Sequence, residues 1–198
     1  MIKRVCVYCG SGVGGRDGYA EAARTLGRAL VERGIGLVFG GGRIGMMGVL
    51  AETVLQAGGE AIGVIPKDLM DKGLGLTSVT SLRVVETMHA RKALMAELGD
   101  AFIAMPGGFG TAEEFFEALT WAQLGLHAKP CGLLNVHGYF DHLIRFVDHA
   151  VQEQFIDPAN RGLLLVDDSP ERLLDKLDSW KPPTVDKAAW ATKLMKED

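Results

Sequence analysis

Short apolar runs alternate with longer amphipathic runs along almost the whole chain, and this alternation restricts the fold more than any other feature. Strand-like runs fall at residues 4–9, 36–39, 61–65, 82–85, 101–105, 131–135 and 162–166. Helix-like runs lie between and after them, at 17–33, 45–57, 87–98, 111–124, 139–154 and 170–180. A strand, a helix and a further strand in succession call for parallel pairing, with the helix as crossover. Runs such as Ala101-Phe-Ile-Ala-Met105 are apolar throughout rather than alternating, as in strands covered on both faces. The expectation is an α/β fold: a doubly wound parallel sheet of about seven strands with helices on both faces. The 198 residues carry no repeat and no low-complexity tract, and suit a single domain over 1–198. Residues from about 181, around Pro182-Pro183, form a peripheral C-terminal tail in this reading. Lys67 to Thr80, rich in Gly and Asp, is expected to be a mobile loop.

In such a sheet ligands bind beyond the carboxyl ends of the strands. Two of those ends are glycine-rich. Met105-Pro-Gly-Gly-Phe-Gly-Thr111 leads from a strand into a helix, and Gly107, Gly108 and Gly110 let backbone approach a ligand closely. Unpaired N–H groups and the helix dipole there favour an anion, so a phosphorylated guest is the natural one. The loop lacks the Lys-Ser/Thr ending of an NTPase phosphate loop. Gly40-Gly41-Gly42-Arg-Ile-Gly45 fits G-x-G-x-x-G after a strand. It reads as a mononucleotide loop, a dinucleotide loop or a tight turn. The acidic residue that a dinucleotide site wants after the next strand is missing, since that strand ends Val64-Ile-Pro-Lys67. Ser11, after the first strand, offers a hydroxyl to a phosphate.

On a helical wheel over 87–98, Met88, Leu94, Met95 and Leu98 share an apolar arc with Arg91 in its middle, whereas His89 and Lys92 fall outside. A buried arginine needs a partner. Arg91 is therefore a salt-bridged structural residue, or a clamp on phosphate or a carboxylate. Glu114 also has two readings. Thr111-Ala-Glu-Glu114 spells a T-x-x-E capping box, and Glu114 also lies at the edge of its helix's apolar arc, near the ligand crevice. Glu113 and Glu117 point away from that arc. Beside Arg91 and a helix N-terminus, Glu114 is expected to be ionised at neutral pH.

Other features exclude more than they suggest. Cys6-Val-Tyr-Cys9 spells C-x-x-C, but strand positions three apart face opposite ways, so the pair reads as two small buried hydrophobes. No histidine has metal-ligand spacing, and no metal is expected. A net charge of −4 argues against non-specific nucleic-acid binding. No apolar run approaches a membrane span. After Lys3-Arg4 only Val5 to Cys9 precede Gly10, too short for a signal-peptide core. A cytoplasmic protein is expected.

Pro106-Gly-Gly-Phe-Gly-Thr-Ala-Glu-Glu114 matches P-G-G-x-G-T-x-x-E, and Met88-His-Ala-Arg-Lys92 matches M-H-x-R-K. Both resemble the paired signatures of the Lonely Guy (LOG) family, which are Rossmann-like cytokinin riboside 5'-monophosphate phosphoribohydrolases once mislabelled lysine decarboxylases. Gly40 to Gly48, Thr120 to Gly125 and Gly132 to Tyr139 also look familial, and the resemblance spans roughly residues 4–166. It implies hydrolysis of the N-glycosidic bond of a purine nucleoside 5'-monophosphate, adenine or N6-modified adenine, to free base and ribose 5-phosphate. It implies Arg91 and Glu114 as the catalytic pair. The substrate-binding set it supports comprises Met88, Arg91, Lys92, the run Gly107, Gly108, Phe109, Gly110, Thr111, Ala112, Glu113 and Glu114, and Thr120. Ser11, Gly41 and Gly42 join it from the strand-end loops. It implies a homodimer and neither metal nor organic cofactor. Two rivals remain: a non-catalytic nucleotide or cofactor carrier on the same fold, and a pyridoxal-phosphate lysine decarboxylase, for which no Schiff-base lysine is identifiable.

Overall fold

The computed structural model describes residues 1–183, so all but the first three residues of the expected tail lie outside the described residues. Seven strands form one sheet: β1 (Arg4–Tyr8), β2 (Gly36–Phe39), β3 (Ala61–Pro66), β4 (Ser81–Val85), β5 (Ala101–Ala104), β6 (Cys131–Leu134) and β7 (Leu164–Asp167). Among the described residues each pairing of these strands is parallel, and the spatial order is β4-β3-β2-β1-β5-β6-β7. The α/β, doubly wound expectation is met. The order reverses between β1 and β5, whose register pairs Tyr8 with Ala104. A crevice opens at the carboxyl ends of strands where the order reverses.

The longer helices are α1 (Asp17–Glu32), α2 (Gly45–Gln56), α4 (Met88–Leu98), α5 (Phe109–Leu124), α6 (Asp141–Gln152) and α8 (Pro170–Ser179). The short ones are α3 (Lys67–Asp71) and α7 (Pro158–Arg161). Pleating sends Val5, Val7 and Cys9 into a core with α1, α2 and α8, through residues such as Leu26, Leu50 and Leu173. Cys6 and Tyr8 enter the opposite core with α4, α5 and α6, against Met95, Phe115 and Val147. The two cysteines thus lie on opposite faces, as expected. Burial pushes the Cys9 thiol up to about 12, which keeps it protonated and unreactive at neutral pH.

Four local expectations are corrected. Residues 67–80 are not a loose loop: α3 opens the segment, and residues 74–76 are bonded to the Gly40–Gly45 turn. Arg43 N–H donates to Leu74 O, Leu76 N–H donates to Gly41 O, and Leu76 is buried. The helix expected over 139–154 is present as α6 but shorter, starting at Asp141 after a 3-10 turn at Val136–Gly138. The last strand begins at Leu164 because Asp157 caps α7 through the Ala159 N–H, and Gly162 then ends that helix. The fourth correction concerns α5, which starts at Phe109 rather than Thr111.

Candidate active site

The reversal of strand order brings together two loops, Cys9-Gly10-Ser11 after β1 and Pro106-Gly107-Gly108 after β5. The Gly10 N–H donates to Pro106 O at 3.1 Å and ties them. Gly108, in extended conformation, is the cap of α5, and Thr111 is buried in its first turn. The capping-box reading of Thr111 and Glu114 therefore falls. The helix begins two residues early, so Thr111 lies inside it and the Glu114 carboxylate is engaged elsewhere. Among the described residues, the N–H groups of Gly108, Phe109, Gly110 and Thr111 have no hydrogen-bond partner. They form the open end of the helix, where an anion is favoured.

Arg91 enters from the side. Thr87 caps α4 by accepting from the Ala90 N–H at 3.0 Å, which sets Arg91 in the second turn, beside the strand ends. The guanidinium is buried. Its Nε donates to Val64 O at 3.1 Å and its Nη2 to Gly40 O at 2.8 Å. Nη1 donates to Glu114 Oε1 at 3.1 Å. Gly40 is required by this reach, since a Cβ there would lie 1.9 Å from Nη2. Glu114 is 9% exposed, and burial raises its pKa against the opposing pull of Arg91. The expectation of an ionised Glu114 considered only the neighbouring charges; desolvation, which it left out, acts against them and is the larger cause.

Ser11, Arg91, Gly108, Phe109, Gly110, Thr111 and Glu114 share a cleft of about 300 Å³ with Tyr8, Gly10, Gly40, Met47 and Leu69. Gly107 lines an adjoining hollow of about 380 Å³ with Gly10 to Gly14, Tyr19 and Tyr139. The Phe109 ring stands 98% exposed at the rim. The other expected residues are not brought there. Gly41 backs onto Val64 and Ile65, and Gly42 bridges Gly75. Met88 is exposed rather than in the apolar arc, and Ala112 is half-buried on α5 outside the cleft lining. Thr120 is exposed further along α5, in a separate apolar hollow with Phe116 and Leu163.

Lys92, placed outside the buried arc by the wheel, is buried. Its ammonium bonds Glu113 and, at 3.1 Å, Glu117, and the Glu113 carboxylate holds its pKa above the usual lysine range. A wheel counts hydrophobicity and misses a cation buried by carboxylates on the next helix. This clamp joins α4 to α5. Lys92→Met is expected to lower the unfolding free energy by about 1–2 kcal/mol, since it leaves two carboxylates without their cation. An unchanged urea midpoint would show the clamp to be idle.

The lining residues that the sequence did not single out include Tyr8, Met47 and Leu69. Gly40 was visible as the first glycine of its motif. Leu69 carried no signal, because its segment read as a loop. Among the described residues no cluster of side chains could hold a metal ion.

The chain is similar to proteins of known description. The family described as "Possible lysine decarboxylase" matches residues 47–177. Cytokinin riboside 5'-monophosphate phosphoribohydrolase LOG1 of Arabidopsis thaliana is 49% identical over 181 residues, covering 91% of this chain and 85% of its own length. The probable cytokinin riboside 5'-monophosphate phosphoribohydrolase LOGL9 of Oryza sativa subsp. japonica is 51% identical over 181 residues, covering 91% and 80%. Among solved structures, the molybdenum cofactor carrier protein of Chlamydomonas reinhardtii superposes with a TM-score of 0.67 at 22% identity, covering 91% of this chain and all of that one. That last likeness is one of fold.

Proposed function

The chain belongs to the LOG family of cytokinin riboside 5'-monophosphate phosphoribohydrolases, and on that premise we propose that it hydrolyses the N-glycosidic bond of adenine-type nucleoside 5'-monophosphates, releasing the base and ribose 5-phosphate. The observation that carries the reading is the buried Arg91–Glu114 pair beside an open, glycine-lined helix N-terminus. Breaking the C1'–N9 bond builds positive charge on the ribose, as in glycoside hydrolysis. The Glu114 carboxylate stabilises that charge and accepts a proton from the water that adds to C1'; the base leaves as N9 takes a proton from solvent, and Glu114 returns its proton to solvent, so one water is divided between C1' and N9. Arg91 fixes the carboxylate. The N–H groups of Gly108 to Thr111, with the Ser11 hydroxyl, hold the 5'-phosphate and so position the sugar. Phe109 offers the base an aromatic face.

The chain is taken as one domain that acts as a homodimer, whose interface would cover exposed apolar side chains such as Phe146 and Phe155. Three buried, unpaired cysteines suit a reducing, cytoplasmic setting. No helix among the described residues is long and apolar enough to cross a membrane. The decarboxylase in the family's description is not favoured. A Schiff-base lysine needs a lowered pKa and access to substrate, whereas no lysine among the described residues lines the cleft and the Lys92 pKa is raised.

The test is a comparison of substrates. AMP and N6-prenylated adenosine 5'-monophosphate should each release free base, whichever is preferred. Adenosine, lacking the phosphate, should show a kcat/KM about two orders of magnitude below that of AMP, from the loss of several charge-assisted contacts. Comparable turnover of adenosine and AMP would remove the phosphate role from Gly108 to Thr111. Absence of free base from any monophosphate would leave a carrier protein.

A further inference from the structure

Tyr139 lies outside the Arg91–Glu114 cleft, yet its hydroxyl donates to the carbonyl of Gly107, inside the glycine loop. The chain goes to some length to place it. After β6, the Asn135 side chain accepts from the Phe140 N–H at 2.7 Å and donates to Asp141 at 2.8 Å, closing a turn. Inside that turn His137 and Gly138 both have positive φ, 53° and 70°. A histidine in the left-handed region persists where its surroundings hold it. Here the Tyr19 ring packs edge-on against both His137 and Tyr139, at 6.0 and 5.7 Å between centroids.

The consequence is for the direction of one peptide. In a trans peptide the carbonyl and the following N–H point opposite ways, and no cis bond occurs among the described residues. A Gly107 carbonyl drawn to Tyr139 turns the Gly108 N–H away from Tyr139. The underside of the loop is packed, since a Cβ on Gly107 would lie 2.1 Å from Thr111 Oγ1. Its front is open, since a Cβ on Gly108 or Gly110 would meet nothing within 4 Å. We propose that Tyr139 is a positioning residue for the 5'-phosphate: it locks the Gly107–Gly108 peptide so that the Gly108 N–H joins those of Phe109 and Gly110 in facing the anion. This rests on the reading of the loop as the phosphate site.

Tyr139→Phe keeps the ring and removes only the hydroxyl. Ribose 5-phosphate, which carries the phosphate and has no bond to break, is titrated calorimetrically into the wild-type chain and the variant, and both are assayed on AMP and adenosine. The variant should bind ribose 5-phosphate about tenfold more weakly, the worth of one well-placed hydrogen bond. KM for AMP should rise by a similar factor with kcat nearly kept, and the preference for AMP over adenosine should shrink about tenfold. Equal affinity for ribose 5-phosphate in the two proteins would overturn the proposal. So would a parallel loss on AMP and adenosine, which is the mark of a purely structural role. No binding of ribose 5-phosphate by the wild type would overturn it too. A wild type that binds ribose 5-phosphate but releases no adenine from AMP would instead sink the hydrolase reading, and the titration alone would then decide the role of Tyr139.

Discussion

Glu114→Gln is expected to bind AMP and to cleave it about 10²–10³-fold more slowly than the wild type, the usual cost of removing one preorganised charge from a transition state. The substitution is nearly isosteric. The glutamine carbonyl can still accept from Arg91 Nη1, now 3.1 Å from the carboxylate. The phosphate contacts are untouched, so KM should move little. Stability should fall by about 1–2 kcal/mol, less than for an abandoned buried charge, because Arg91 keeps the Val64 and Gly40 carbonyls. The pH profile supplies a second readout. In the proposed mechanism Glu114 works ionised, and burial has raised its pKa. Activity should therefore fall as pH drops through a value above that of an ordinary glutamate, and the residual activity of Glu114→Gln should lack this limb. Hydrolysis within a few-fold of wild type would move the catalytic role to another carboxylate, with Glu113 and Glu86 the first to test.

Arg91→Lys keeps a positive charge and should still lose about 100-fold or more in kcat. The guanidinium spans three acceptors in different directions: Val64 O, Gly40 O and Glu114 Oε1. A lysine ammonium is a point donor on a shorter stem and cannot meet all three. Whichever carbonyl it abandons is left buried and unpaired, at about 1–3 kcal/mol each, so the melting temperature should fall as well. If the ammonium stays on the carbonyls, Glu114 loses its clamp. Its pKa then rises further, and the acid limb of the rate profile should shift to higher pH. Normal kcat with an unshifted limb would reduce Arg91 to packing and diffuse charge.

Much of this was legible in the sequence, for identifiable reasons. Continuous apolar runs between helical ones announced a parallel sheet, and β2 was bounded correctly because Gly36 and Gly40 punctuate it. Arg91 stood out because a wheel exposes a charge in an apolar arc, and it is buried as expected. Three things lay beyond reach. Strand order is a property of crossovers rather than of strands, so the meeting of the loops after β1 and β5 was invisible. The start of α5 was misjudged because Gly-Phe-Gly has the composition of a loop, although Phe109 and Gly110 are helical. The burial of Lys92 depends on Glu113 and Glu117, which no pattern within α4 contains.

The reversal of strand order between β1 and β5 divides the molecule at the cleft. One half, from β1 through α4, supplies Arg91 and the Gly40 carbonyl. The other, from β5 onward, supplies Glu114 and the glycine loop. The site is therefore a seam, and neither half possesses it. On the proposed function, a nucleotide seated there would touch both sides and act as a staple between them, so that part of its binding free energy would go to holding the halves in register. Substitutions far from the cleft that loosen the fit of one half on the other should then surface first as weaker nucleotide affinity, before any loss of fold.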